Sequence, residues 1–180
     1  MILLVAATEA ELCGHPGLVC GVGPVEAAAA TTRALEETKH KPEAIVHVGV
    51  AGARRESGLD VLDLVVGSEA VYEDLITVRR LAPTSVLPDS RLLDVAQAAL
   101  SSAHVLPIGT TGSVGGADGC QVEAMEGFAV LRAAALAAVP AVEIRSISNL
   151  VEDDRLTWRL DEAIGVLEDA IPRVLAALAK

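Results

Sequence analysis

Residues 125–148 read MEGFAVLRAAALAAVPAVEIRSIS, and the fold turns on how that run divides. Its first part, through Val139, has the Ala- and Leu-rich composition of a packed helix. Its second part alternates Val142, Ile144 and Ile147 with Glu143, Arg145, Ser146 and Ser148, then ends in Asn149, the pattern of a strand. Working outward, the same alternation recurs. HVLPIGTTGSVGG (104–116) is a strand and loop, and SRLLDVAQAALSSA (90–103) is an amphipathic helix with Leu92, Leu93, Ala96 and Leu100 on one face. VLDLVVGSEAVYEDL (61–75) reads as one long or two short strands, and AIVHVGVAG (44–52) as a strand running into a small-residue turn. GPVEAAAATTRALEETKH (23–40) is a helix with Pro24 near its first position. GLVCGV (17–22) and MILLVAA (1–7) are short buried strands, and a last helix runs from about Leu160 to Ala179. Strands and helices in alternation imply a layered α/β domain with a largely parallel or mixed sheet. At 180 residues, one domain over 1–180 is expected.

Composition narrows the functional classes. More than half of the chain is apolar, yet aromatics make up only 2% of it, so the core must be built from Ala, Val, Leu and Ile. A net charge of -11 repels phosphate backbones and argues against nucleic-acid binding and a polybasic membrane anchor. Cys13, Cys20 and Cys120 lack C-x-x-C spacing, and His15, His40, His47 and His104 are scattered, so no disulfide framework or metal site is expected. The apolar start stops at Thr8 and Glu9, too early for a signal peptide or a membrane span. A cytoplasmic protein without a cofactor is the expectation.

Chemistry has several candidate locations. In VEAMEGFAVL (122–131), Glu123 and Glu126 would share one side of a helix in an apolar segment, and a buried carboxylate there needs a partner. GVGPVEAA lacks the third glycine of a dinucleotide fingerprint, and taken alone is a strand-to-helix turn. AATEAEL follows the first strand at the edge where α/β sheets bind ligands; in extended chain Glu9 and Glu11 would share a face, and otherwise they are a solvated helix start. Gly49 and Gly52 in HVGVAGA serve either close approach to a ligand or a plain turn. Asn149 offers a donor and an acceptor at a strand end, or an Asx-turn. Trp158 either fills a gap in helix packing or lids a pocket.

The order of these pieces carries more than any one of them. A Glu pair after the first strand, then GVGPVEAA, VGVAGA, AMEG and RSISN, resembles the nucleoside phosphorylase and nucleosidase superfamily along nearly the whole chain. Within it the sequence looks most like the hydrolases of the methylthioadenosine/S-adenosylhomocysteine nucleosidase and futalosine hydrolase families, the latter through RSISN and the Trp-containing EDDRLTWRLDEA. The resemblance implies a three-layer sandwich with a central mixed, mostly parallel sheet. It implies a purine nucleoside as the small-molecule partner, a homodimer or higher homo-oligomer, and, in the futalosine case, a place in menaquinone biosynthesis. It also implies roles: Glu11 activates the attacking water, Glu126 accepts hydrogen bonds from the ribose hydroxyls, and Met125 lies against the ribose. Ala51 and Gly52 line the sugar and water side, Cys120 and Gln121 fall in the loop beside the base, and Thr8 and Trp158 are further pocket residues.

Asn149 stands where adenine-directed relatives carry an Asp, and Ala124 where several carry another acid. An amide cannot act as a general acid, but its NH₂ can donate to N7 or to a 6-oxo group, so the resemblance points to an inosine-like substrate. The 74–109 region is shorter than in relatives, which would remove part of a dimer contact or pocket wall. Arg54, Arg55, Arg79 or Arg80 could pair with a 5′ carboxylate, and solvated surface Arg is the competing reading. Two rivals remain: phosphorolysis, which needs a cationic cradle that Glu9 and Glu11 oppose, and a nucleoside-binding protein without catalysis.

Overall fold

A computed structural model describes residues 1–76 and 81–180. Among the described residues, eight strands form one sheet: β1 (Ile2–Ala6), β2 (Leu18–Val19), β3 (Ala44–Ala53), β4 (Leu64–Tyr72), β5 (Ser85–Val86), β6 (His104–Thr110), β7 (Val122–Ala124) and β8 (Ala141–Leu150). Four α-helices accompany them: α1 (Pro24–Glu37), α2 (Ser90–Ala99), α3 (Gly127–Leu136) and α4 (Leu160–Leu178). Residues 61–75 resolve into one strand, and β3 continues as strand through Ala53 where the sequence suggested a turn.

The sheet is mixed. β1 pairs in parallel with β2 and β3, β3 with β8, β4 with β6, and β6 with β7; β3–β7, β4–β5 and β4–β8 are antiparallel. Because β8 pairs with both β3 and β4, strands β3, β7, β6, β4 and β8 close into a ring. Small and branched residues from all five strands, among them Ala51, Val65, Ile108, Val122 and Ile147, form a common buried cluster that fills it.

Alternation along the strands sorts the two outer layers. Leu4, Val46, Val48, Val142 and Ile144 pack against α2 and α4, whereas Val5, Ile45 and Ala141 face α1 and α3. Helix α4 buries Ala163, Leu167, Ala170, Ile171 and Val174, a stripe of helical period. Asp89 caps α2 by accepting from the Leu92 N–H at 3.0 Å. Among the described residues no helix is long and apolar enough to cross a membrane.

One local expectation is corrected. Residues 122–124 are strand and α3 begins at Gly127, so Glu123 and Glu126 are not on a common helix face. Short as it is, β7 hydrogen-bonds to β6 on one side and β3 on the other, and these pairings override the helix-like composition.

Candidate active site

The carboxyl ends of β1, β3 and β8 meet the start of α3 and of α4 around a cavity of about 400 Å³. This is the edge at which α/β sheets gather ligands. Thr8, Glu11, Ala51, Gly52, Met125, Glu126, Asn149 and Trp158 all line it.

Glu11 sits in a single 3-10 turn, Ala10–Leu12, directly after the first strand. That turn swings Glu9 into solvent and buries Glu11, so the two acids do not share a face. One carboxylate oxygen of Glu11 accepts from the Thr8 N–H at 3.0 Å and the Thr8 hydroxyl at 2.8 Å; the other accepts from the Val50 N–H at 3.0 Å. The carboxylate is thus held by two backbone N–H groups and a hydroxyl, and Oε1 keeps one lone pair for a ligand.

Glu126 is the residue just before α3, and it is 4% exposed. Oε1 accepts from the Gly23 N–H at 3.0 Å, and Oε2 lies 3.4 Å from Nη2 of Arg145. The positive end of the α3 dipole adds to this. GVGPVEAA therefore serves as a turn that delivers one backbone donor to Glu126. The protein itself supplies part of the partnership this acid requires.

The rest comes from a buried polar group that the sequence reading did not single out. Arg145 is fully buried on β8, with Nε 2.8 Å from Glu143, Nη1 3.3 Å from the Val50 carbonyl and Nη2 2.6 Å from Nε2 of His47. Burial pulls the guanidinium down, but the carboxylates of Glu143, Glu126 and Glu11 outweigh it and hold Arg145 above its ordinary value, hence charged. Burial pushes the Glu143 carboxyl up, with Arg145 opposing. His47, Glu143 and Arg145 occupy paired or alternate positions on β3 and β8, on the α1/α3 side of the sheet. A Cβ at Gly49, the partner of Arg145 across the strands, would overlap Arg145 Nη1 and Glu11, so this glycine makes room for the cluster. The available signal was the two-residue spacing of Glu143 and Arg145, which puts both on one face of the strand.

At the other end of the cavity, the Ser148 hydroxyl donates to Asn149 Oδ1 at 2.8 Å, and Asn149 Nδ2 donates to the Leu150 carbonyl at 3.1 Å. These contacts fix which way the amide points and leave one N–H of Nδ2 without a partner among the described residues. Glu123 also lines the cavity, and its two oxygens accept from the N–H groups of Gly115 at 2.6 Å and Ala117 at 3.3 Å. It thereby ties down the loop that carries Ser113 and Val114 into the cavity wall.

Trp158 lines the cavity with Arg155 stacked over its ring at 5.8 Å, and its indole N–H is buried without a partner among the described residues. Cys120 and Gln121, expected beside the base, do not line the cavity. Cys120 packs against Gly109 and Glu73, and its thiol is pushed up to about 12 by burial and then by Glu73. The Gln121 side chain is exposed, and its carbonyl accepts from the Arg54 N–H. Pairing of Val122 with Ile108 and Ala53 turns the residues before β7 away from the cavity. Arg54 pairs with Asp118 and Arg55 with Asp153, and neither lines the cavity; Arg79 and Arg80 lie outside the described residues. Among the described residues no His, Cys, Asp and Glu group is arranged to hold a metal.

The Phosphorylase superfamily pattern matches residues 12–180. The chain is 33% identical over 187 residues to a futalosine hydrolase of Streptomyces coelicolor, covering 89% of this chain and 78% of that one. It is 32% identical over 170 residues to a 5′-methylthioadenosine/S-adenosylhomocysteine nucleosidase of Shewanella piezotolerans, covering 80% and 73%. In fold it is similar to the S-adenosylhomocysteine nucleosidase of Streptococcus pyogenes solved with 5-methylthiotubericidin (TM-score 0.85, 23% identity, 98% of this chain and 96% of that one). It is likewise similar to the futalosine hydrolase of Helicobacter pylori (TM-score 0.82, 16% identity, 97% of each). With its sequence matched over residues 12–180, the chain belongs to the phosphorylase superfamily.

Proposed function

We propose that this chain hydrolyses the N-glycosidic bond of a purine nucleoside, with futalosine as substrate and hypoxanthine as the released base, in menaquinone biosynthesis. The observation that carries the reading is that Glu11, Glu126 and Asn149, from three distant segments, line one cavity. The kinship to the Streptomyces futalosine hydrolase and to the Shewanella nucleosidase supports hydrolysis of this bond class.

A ribosyl C–N bond breaks with positive charge developing on the sugar. Glu126 holds the ribose hydroxyls and, being preorganised by Gly23 and Arg145, stabilises that charge without reorganising. Glu11, aimed by Thr8 and Val50, takes a proton from the attacking water. Asn149 donates its free N–H to the departing purine at N7 or O6. Ala51, Gly52, Met125, Thr8 and Trp158 shape the walls.

Water rather than phosphate is the nucleophile on this reading. Three carboxylates, Glu11, Glu123 and Glu126, face the cavity, and no Lys or Arg is among the described lining residues. Phosphate would meet repulsion where it needs a cationic cradle. The exposed Val25 and Leu136 border a largely apolar groove between α1 and α3, a face that supports assembly as a homo-oligomer.

The test is base release from futalosine and inosine with and without inorganic phosphate. Free ribose or dehypoxanthinylfutalosine in both conditions is the expected product. Ribose 1-phosphate formed only with phosphate would overturn hydrolysis, and nucleoside binding with no base release would reassign the chain as a binding protein.

A further inference from the structure

The base end of the cavity holds a second polar group whose chemistry complements that of Asn149. In β3, Gly52 is the register partner of Glu123 on one side and of Asn149 on the other. A Cβ built on Gly52 would touch Asn149 Nδ2 and Val151 Cγ2 at 3.2 Å and Glu123 Cγ at 3.5 Å, so the amide and the carboxylate side chain rise on the same face of the glycine, with a Val151 methyl beside them. With adjacent strands about 4.8 Å apart, the two backbones stand roughly 10 Å from each other across Gly52. Over the glycine and the Val151 methyl, an amide stands on one side and a carboxylate on the other.

The free groups on the two sides differ in kind. Asn149 presents one unused N–H, since Oδ1 takes the Ser148 hydroxyl and the other N–H bonds the Leu150 carbonyl. Glu123 presents acceptors only, because each oxygen spends one lone pair on a backbone N–H, of Gly115 or Ala117, and keeps another. A 6-oxopurine offers the matching edge: acceptors at N7 and O6, and a donor at N1–H. Adenine offers a lone pair at N1, which would face the carboxylate unpaired.

We propose that Glu123 accepts the N1–H of a 6-oxopurine and is a specificity-determining residue of the site. The proposal rests on the purine nucleosidase reading above and adds to it a contact made from β7, by the same carboxylate that pins the 112–119 loop.

The experiment measures binding of free bases, so it does not depend on turnover. Trp158 is the only Trp and lines the cavity, so its fluorescence reports occupancy. Hypoxanthine, 1-methylhypoxanthine and adenine are titrated into wild type, Glu123→Gln and Glu123→Ala. Wild type is expected to bind hypoxanthine at least about tenfold more tightly than either of the other two, as a lost buried hydrogen bond to a charged group predicts. In Glu123→Ala that preference shrinks to about threefold or less, with Glu123→Gln between. Wild type that binds hypoxanthine and 1-methylhypoxanthine equally overturns the N1 contact, and needs no variant to fold. A Glu123→Ala protein that weakens on all three bases in proportion overturns it too, because a pure loop clamp would do that. Wild type that shows the preference yet never cleaves a nucleoside supports the contact and sinks the hydrolase reading. Failure to bind hypoxanthine sinks both.

Discussion

Nη2 of Arg145 lies 2.6 Å from Nε2 of His47, and both side chains are fully buried. The other ring nitrogen, Nδ1, is 3.0 Å from the Val5 carbonyl oxygen, which can only accept. Nδ1 therefore carries the proton, and Nε2 receives the Arg145 N–H. Neutral His47 orients a cation that in turn reaches toward Glu126 and the Val50 carbonyl. A proton on Nε2 would set two donors against each other.

The first prediction follows for pH. Burial, and then the Arg145 charge, hold His47 well below its ordinary 6.5. The unfolded chain takes up a proton near that pH and the folded chain does not. Stability is thus complete above about 6.5 and falls as pH drops below it, by up to about 1.4 kcal/mol per unit. Glu143, whose carboxyl burial raises from 4.5, works in the opposite sense: its contribution is lost as pH rises from about 4.5, so the comparison with His47→Gln is what isolates the histidine. Urea denaturation between pH 7.5 and 5.5 should show a steeper loss in wild type than in His47→Gln. Parallel curves would remove His47 as the titrating group.

The second prediction concerns the proposed base. Glu11→Gln should lower the rate of base release by about 10²–10⁴-fold. Hypoxanthine binding, read from Trp158 fluorescence, should change by no more than about threefold, because Glu11 acts on water and not on the purine. The amide NH₂ would face Thr8 or Val50 donors, so a modest fall in melting temperature is expected alongside. Full activity in this variant would remove Glu11 from catalysis.

How much of this was legible in the sequence depends on the range of the interaction. The long elements were readable from periodicity: the α4 stripe from Ala163 to Val174 and the apolar runs of β1 and β3 lie where the pattern places them. Glu126 and Asn149 were marked by their motifs, and both line the cavity. Glu123 was misplaced because three residues of strand carry no period, and β7 owes its conformation to β6 and β3. The Arg145 cluster stayed hidden for a related reason. His47 and Arg145 are 98 positions apart, and only the parallel register of β3 with β8 brings them together. Cys120 and Gln121 do not line the cavity, because adjacency to AMEG says nothing about which way a loop faces.

The third prediction isolates the ribose contact. If Glu126 holds the ribose hydroxyls, wild type should hydrolyse inosine about 10–100-fold better in kcat/KM than 2′-deoxyinosine. In Glu126→Ala both rates fall, and the difference between the two nucleosides should nearly vanish, as in a double-mutant cycle with the substrate as one partner. Arg145 keeps Glu143 as its partner in this variant, at 2.8 Å, which preserves the fold well enough for the comparison. An undiminished preference for the 2′-hydroxyl would place the sugar elsewhere.

The fourth prediction reverses base selection. In Asn149→Asp the Ser148 hydroxyl keeps an acceptor, while the N–H now bonded to the Leu150 carbonyl disappears, as does the free donor facing the cavity. The new carboxylate suits the N6–H of adenine and repels O6 of hypoxanthine. The ratio of kcat/KM for inosine over adenosine should fall at least about tenfold, chiefly through the inosine term. Reversal should be incomplete, because on the further inference Glu123 still faces N1 and still disfavours adenine. Asn149→Asp combined with Glu123→Ala should therefore accept adenosine better than either single variant does. If the single Asp variant leaves the ratio unchanged, the amide of Asn149 is not reading the oxygen of the base.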